Sequence, residues 1–549
     1  MGTCLWGIVH WCSGNFRGYE VNPPLVRLVA ALPVLSSPPA QRFTPHGGDR
    51  PEWALGREFI DYAGEDLFGL FHRARLALLP LLLIGPLALY RLGERFADSR
   101  VGFAAAALYC FSPTVLAYSA LCTPDAVAAS LTALSLLCLC GWLDRQDWGG
   151  ALALGVSLGV TLATKFTGLL LIPAVLFAAF VYAARWPRLR SLIGQLFVMA
   201  AVVVATIGAT YGFEGIGRPL GTLPFRSKLF GGPEASIESP HNRFRHHWIG
   251  RLPLPVPERY VLGIDRQQVE FETGYWSYVR GHWRRRGWWW YYAYAALVKE
   301  PAGYLVMLLI GFLTVLRRGY SRFWVVAIVP SLLVFLVLSA HTAYNHHYRY
   351  VLPALPGIYL IAAMGLAPRG DRVLGHLRWL RLLSWGCLVA GVLSSLSQVP
   401  HSESYFNWIS GGPYRDPPHL LDSNIDWGQD LLPLKRWLDR HPEVVLDGTV
   451  YYSPFARGLL RAAGLPHGRQ PIDPARPQPD GHKSQVTQGT YAVFVRAIYE
   501  HDSPFRYLRH IEPRWWVTPA VRIYVLSPEL VRAASAAEAS AAKRPAPGG

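Results

Sequence analysis

Two apolar stretches, residues 101–119 and 126–143, carry no charged side chain and meet at Leu121-Cys122-Thr123-Pro124-Asp125. Runs of this kind approach the ~20 residues that cross a hydrocarbon core. The acidic turn between them therefore falls at or just inside a membrane surface. An ionised carboxylate costs about 2.5–3.5 kcal/mol near mid-bilayer and less at the edge. Thr at N-cap and Pro at N1 already start the following helix, so Asp125 is surplus to capping. A costly, surplus acid is a candidate for catalysis.

Composition agrees with a membrane protein. Hydrophobic residues make up 51% of the chain against 16% charged, and mean hydropathy is positive at +0.20. Apolar runs fall near 76–93, 101–119, 126–143, 150–164, 166–184, 191–212, 302–316, 322–340, 351–367 and 382–398. That pattern predicts a polytopic α-helical membrane protein of about ten spans, some short enough to require tilt or local thinning. The block 150–184 is interrupted only by Lys165 and reads as a tight helical hairpin, or else as one kinked span.

Alternate short loops carry Arg91, Arg95 and Arg100; Asp144, Arg145 and Asp147; Arg185, Arg188 and Arg190; Arg317, Arg318 and Arg322; Arg369, Arg372, Arg378 and Arg381. Four of these five are basic, which marks this set as cytoplasmic. Asp125, Lys165, residues 213–287, the turn 341–350 and everything after 398 then share the exoplasmic side. The same placement accounts for the net charge of +17, which sets topology and flanks lipid. It does not form a nucleic-acid footprint. Arg284-Arg285-Arg286 runs into Gly287-Trp288-Trp289-Trp290-Tyr291-Tyr292, the pattern of an interfacial helix beside headgroups. That basic triplet either anchors the chain or attracts an anionic lipid-linked phosphate.

The seven cysteines are odd in number and none lies after Cys387, so they form no disulfide framework; they read as small apolar fillers. Four regions follow from the pattern. Residues 1–75 form a first exoplasmic segment with surface-lying helices, one of them starting after Asn22-Pro23-Pro24. Residues 76–398 are the transmembrane core, and 399–530 a small exoplasmic α/β domain. In that domain residues 421–430 open an amphipathic helix to about His441, followed by three β-like runs, VVLDGTVYY, YAVFVRAIY and VRIYVLS. Residues 531–549 are of low complexity and read as a disordered tail.

In order along the chain stand NPPLVRLVAALP, ALYRLGERFADSRVGFAAAALYCFSPTVLAYSALCTPD, TLATKFTGLLLIP, YYAYAALVKEP and HHYRYVLPALP. Over residues 10–400 this series resembles the integral-membrane GT-C glycosyltransferases. The branch it most resembles holds the bacterial protein O-mannosyltransferases and lipid A aminoarabinose transferases. The segment DSNIDWGQDLLPLKRWL resembles the exoplasmic C-terminal domain of uncharacterised bacterial members.

The resemblance implies transfer of a sugar from a polyprenyl-phosphate donor to a lipid or protein acceptor, on the outer face of a bacterial plasma membrane. An acceptor hydroxyl attacks the anomeric carbon and the lipid phosphate leaves. Such chemistry needs a carboxylate and cations that hold the phosphate. Asp125 is then the catalytic carboxylate and Lys165, Lys299 and Arg349 bind the donor phosphate. His346, His347, Tyr350, Arg284 and Arg285 are further substrate contacts. No cofactor is implied, and a divalent cation stays open. Two adjacent histidines point apart on a helix, so hydrogen bonding or phosphate contact suits His346 and His347 better than a metal.

Each of these residues also has a plainer reading. Lys165 can snorkel to the surface, Lys299 can pair locally with Glu300, and Asp422, Asp426 and Asp430 can cap and solubilise a helix. The family's usual acidic pair at the end of a first span would fall just upstream of Met1, so the expectation is a misassigned start or a missing carboxylate. A catalytically impaired protein that binds lipid-linked sugar is therefore an alternative. A transporter is a weaker one, because its charges would line a midplane path between repeated halves.

Overall fold

The computed structural model describes residues 2–35, 50–186, 188–319, 321–367, 378–473 and 488–542. Two short helices, α1 (Gly2–Ser13) and α2 (Leu25–Ala31), pack on each other and precede α3 (Pro51–Ala63). Helix α2 starts just after Pro23-Pro24, where the sequence places one. The bundle proper begins with α4 (Leu67–Phe96), then α5 (Ser99–Cys110), α6 (Pro113–Ser119), α7 (Pro124–Arg145), α8 (Trp148–Leu162), α9 (Leu171–Tyr182) and α10 (Leu189–Thr210). Helix α7 is central: it packs against α4 and α8, and its apolar residues are buried nearly all round. Helix α10 instead leaves Ile193 and Phe197 exposed on its outer face, as a lipid-facing helix does.

Among the described residues seven helices are long and apolar enough to cross a membrane, or up to nine if each bent pair is one span. The chain is thus a helical integral membrane protein with slightly fewer spans than the expected ten. The shortfall is α8, whose 15 residues fall short of a full crossing. The pair α5–α6 bends by 59° where Ser112 and Pro113 end one helix and cap the next. The second bent pair is Tyr291–Lys299 and Ala302–Arg318, at 116°. Its hinge holds Pro301, which cannot continue a helix from the preceding residue. The 150–184 block is two helices, α8 and α9, parted at Ala163–Lys165 and joined by a short 3-10 turn, Phe166–Leu170.

Basic loop ends meet at one end of the bundle. Arg95 Nη2 lies 2.8 Å from Asp144 Oδ2, and Arg322 pairs with the other oxygen. Loops following α4, α7 and the span preceding Ser321 thus share a face, as the alternation of charged loops requires. Residues 369 and 372 of the last basic loop lie outside the described residues.

Between α10 and the second bent pair, an extramembrane segment contains α11 (Lys228–Gly231), α12 (Glu258–Thr273) and a hairpin of β1 (Trp276–Val279) and β2 (His282–Arg285). This corrects the expected interfacial helix at Arg284–Arg286. Trp276 pairs with Arg285 and Ser277 with Arg284 across an antiparallel register, and the helix begins only at Tyr291. The aromatic and β-branched residues of WSYV favour strand, and Gly281 at φ 88° makes the turn.

Beyond Arg378–Leu396 the chain forms a second small fold. Its four-stranded sheet has the order β3 (Gly448–Val450), β4 (Gly489–Phe494), β6 (Val521–Leu526), β5 (Trp515–Thr518). The first pair is parallel and the others antiparallel. Three strands match the β-like runs; β5, with Arg514 before it, carries no clear alternation and is additional to them. The amphipathic helix starts at Leu431, not Leu421. Residues 421–430 instead form turns, with Asp422 at φ 59°. The expected disordered tail is corrected too: Pro528–Ala542 is a helix. Alanine is the best helix former, and His510 Nε2 sits 3.0 Å from Glu538 Oε2, tying the helix down. Residues 543–549 lie outside the described residues.

Candidate functional site

Asp125 occupies the first turn of α7, behind the extended Thr123 and Pro124 at N1. The helix N-terminus favours a negative group there, yet the carboxylate is not in water, being 3% exposed. Lys165 reaches it from the break after α8. Backbone bonds from Thr164 and Lys165 to Thr161 O close that helix, and Lys165 itself turns extended. Its Nζ lies 2.6 Å from Asp125 Oδ1. Lys165 is buried, so it does not snorkel to the surface.

Arg349 comes from the 3-10 turn Tyr348–Ala354 that opens the span to Leu366. Its Nη1 stands 4.0 Å from Asp125 Oδ2. The guanidinium lies 4.0 Å from the Trp427 ring and 5.3 Å from Tyr350, and Lys165 Nζ is also 5.3 Å from Tyr350. One acid and two cations, braced by aromatic faces, leave one net positive charge in a nearly dry place. Such a group needs full compensation to be tolerated. An anion drawn to it would complete the pairing.

Lys299 is employed differently, which corrects the expected phosphate role. It donates to Glu403 O at 2.5 Å and to Asn424 O at 2.7 Å, and its third direction faces the Phe406 ring at 4.7 Å. The ammonium therefore staples the C-terminal segment to the end of the span. Nor does it pair with Glu300, whose oxygens accept from Tyr348 OH at 3.2 Å and Tyr359 OH at 2.9 Å.

The two histidines hold the same junction. His347 Nδ1 is 2.8 Å from Ser423 Oγ, and burial pushes its pKa well down, so it contributes a neutral ring. Its 3.7 Å approach to Asp422 is not an ion pair in that state. The His346 carbonyl accepts from Tyr291 OH at 2.7 Å, while its ring packs near His347 and Tyr350. Arg284 and Arg285 lie exposed on the hairpin, and among the described residues no ion pair or hydrogen bond joins them to Asp125.

Four residues that the sequence does not single out complete the neighbourhood. Tyr118, on α6, donates its hydroxyl to Ser423 O. Trp427 covers Arg349, and Asn424 Nδ2 ties Leu421 O and His346 O. Glu403, 4% exposed, follows the last span. The only sequence signal is the polar density of DSNIDWGQD, which reads as a solvated cap. That reading is corrected, because Asp426 is 3% exposed and Asp430 is fully buried. Asp430 pairs with His401 at 2.7 Å, and Asp426 Oδ1 accepts from Gly428 N at 2.9 Å. Burial, reinforced by Asp430, pushes the Asp426 pKa up to about 7. Among the described residues no group of three or more His, Cys, Asp and Glu could hold a metal ion.

A buried acid with two cations thus stands at one end of the helical bundle of a membrane protein. Residues 67–209, which run from α4 through α10 and contain Asp125 and Lys165, match the family model described as dolichyl-phosphate-mannose-protein mannosyltransferase. Over that segment the chain is thus similar to the protein mannosyltransferases. No curated protein matches it. Similar solved structures include ArnT from Cupriavidus metallidurans in the apo state, with 13% identity, 96% of this chain and 94% of that one covered, and a TM-score of 0.43. The same enzyme bound to undecaprenyl phosphate gives 13% identity, 96% and 93% coverage and a TM-score of 0.38. The Archaeoglobus fulgidus oligosaccharyltransferase tethered with an acceptor peptide gives 11% identity, 93% and 67% coverage and a TM-score of 0.36.

Proposed function

We propose that this chain transfers a glycosyl group from a polyprenyl-phosphate sugar to an acceptor hydroxyl on the exoplasmic face of a bacterial plasma membrane. The observation that carries the reading is the Asp125–Lys165–Arg349 trio inside and beside the segment that matches the mannosyltransferase model. Arg349 stands 4.0 Å from Asp125, beyond a close hydrogen bond, and a guanidinium can hold phosphate oxygens. Lys165 supplies a point charge beside it. Both would stabilise charge that develops on the departing phosphate, in a site with little water to screen it.

Asp125 then acts as a positioning residue more than as the base. Its Oδ1 is engaged by Lys165 at 2.6 Å and its Oδ2 faces Arg349 at 4.0 Å, so the carboxylate holds the two cations together. In this reading residues 1–75 are a first exoplasmic segment, 76–398 the transmembrane core and 399–530 an exoplasmic domain.

The test is transfer in nanodiscs from radiolabelled polyprenyl-phosphate sugars, together with binding of unlabelled polyprenyl phosphate. The expected outcome is donor-dependent transfer by the wild type and loss of polyprenyl phosphate binding in Lys165→Ala/Arg349→Ala. Equal binding by the double variant would remove the trio from the donor site.

A further inference from the structure

The end of the bundle opposite Asp125 holds a cavity of about 360 Å³ where the ends of several spans meet. Arg95 lines it from the last turn of α4 and Cys140 from α7. Tyr182 and Arg185 line it from the end of the α9 span, and Ser321 and Arg322 from the start of the span Ser321–Ala340. Fifteen residues of α7 separate Cys140 from Asp125. At ~1.5 Å each they span about 22 Å, so this cavity is no part of the donor site.

Three guanidiniums share one carboxylate here. Arg95 reaches Asp144 at 2.8 Å and Arg322 pairs with it too, so with Arg185 two positive charges are left over. Arg185 has no acid partner among the described residues, and its guanidinium carbon lies 4.8 Å from the centroid of the Tyr182 ring. Tyr182 is 2% exposed, and its hydroxyl is closed from solvent with no hydrogen-bond partner among the described residues. A buried donor left unmet carries its desolvation penalty uncompensated. A phosphate answers both deficits, because its oxygens accept from a phenol hydroxyl and a guanidinium fork holds two of them. Basic loop residues that only set orientation need neither a cavity nor a buried hydroxyl beside them.

The surroundings point to the source of that phosphate. Phe180 is 79% exposed and Val181 is exposed beside it, directly before Tyr182; Leu316 is exposed shortly before Gly319, which also lines the cavity. Apolar side chains presented on the outside of a span face acyl chains. A phosphate that enters here with acyl chains attached therefore finds both its parts accommodated. We propose that this cavity binds the headgroup phosphate of an anionic phospholipid in the leaflet at the end opposite Asp125. Arg185 and Arg322 are its cations and Tyr182 its hydroxyl donor. Basic pockets between spans hold anionic headgroups in this way. The bound lipid ties together span ends that are far apart in sequence, and the site is independent of the glycosyltransferase reading.

The experiment uses the full chain in detergent, with phosphatidylglycerol, phosphatidylcholine and inorganic phosphate as probes. Native mass spectrometry reads lipid binding, and thermal unfolding reads its effect. Phosphatidylglycerol should bind more tightly than phosphatidylcholine, whose ammonium cancels the phosphate charge, and should raise the unfolding temperature. Inorganic phosphate, which has no acyl chains, should not. Arg185→Gln should weaken phosphatidylglycerol binding roughly fivefold. Ser321→Glu, which adds a carboxylate to the lining, should weaken it at least as much. Tyr182→Phe removes the unmet hydroxyl, so it should leave the lipid-free protein as stable as the wild type and still lower phosphatidylglycerol affinity. Unchanged affinity in both Arg185→Gln and Ser321→Glu overturns the proposal. So does a Tyr182→Phe variant that is destabilised without lipid yet binds phosphatidylglycerol as before. A wild type that does not distinguish the two lipids overturns it whether or not any variant folds. An equal stabilisation by inorganic phosphate makes this a free-phosphate site and overturns the lipid assignment. None of these outcomes touches polyprenyl phosphate binding at Lys165 and Arg349, which is measured separately.

Discussion

Helix α7 carries an acid with two cations at each end, and the two groups differ in almost nothing but burial. At one end Asp125 meets Lys165 and Arg349; at the other Asp144 meets Arg95 and Arg322. Nineteen residues at ~1.5 Å each put the two acids about 28 Å apart. The Asp125 side chain is 4% exposed with partners at 8% and 15%, whereas Asp144 is 21% exposed with partners at 42% and 40%. Identical charge arithmetic therefore has different consequences. In water the pairs are screened and worth little. Out of water, each charge depends on the others, and an incoming anion meets a field that solvent does not dissipate.

The largest effect expected from breaking this symmetry is at the buried end. Asp125→Asn leaves two cations unpaired and should cost about 3–5 kcal/mol of stability, together with a roughly 10²–10³-fold loss of kcat. Thermal unfolding in detergent and a transfer assay would read both. Wild-type turnover in that variant would dissolve the contrast. Removing Lys165 as well, in Asp125→Asn/Lys165→Met, should recover part of the stability but none of the activity. Additive losses in that double variant would show that the pair does not act as a unit.

The next effect concerns pH. The Asp426 pKa is raised to about 7 from its ordinary value of 3.8, so folding favours its protonated form. Its stabilising contribution is complete below pH ~4 and is lost as pH rises toward about 7. Asp426→Asn should therefore be more stable than the wild type at pH 8, by on the order of a few kcal/mol, with the difference vanishing below pH ~4. Unfolding temperatures measured at the two pH values would show it. An Asp426→Asn variant that is less stable at pH 8 would mean the carboxylate is needed ionised.

The smallest effect is expected at the exposed end. Asp144→Asn should cost about 1 kcal/mol or less, and most of that should disappear in high salt. Turnover should stay at the wild-type level. A loss there comparable to that of Asp125→Asn would mean that position along α7, not burial, separates the two clusters.

Much of the bundle is legible in the amino-acid sequence. Apolar runs locate the helices because lipid demands long, uncharged segments. Loop charges tell which ends share a face, and alternation with β-branched residues locates three of the four strands of the C-terminal sheet. The departures are local. Arg284–Arg286 reads as part of an interfacial helix because the aromatic run hides the turn at Gly281. Residues 421–430 read as a helix start because their aspartates resemble caps. The alanine-rich end reads as disordered because its tie to His510 comes from a distant turn.

The chain alone dictates an inventory: spans, their breaks, a carboxylate at the start of α7 and the cations at span ends. Helical and strand periodicity is a local property, as is the cost of a charge near lipid, so both can be read along the sequence. Partnership is not local. That Lys165 and Arg349 meet on Asp125, while Lys299 is used up on two carbonyls, depends on which helices pack together and how the C-terminal segment folds back over them. Only that packing removes the water, and the absence of water separates the trio at Asp125 from its counterpart at Asp144.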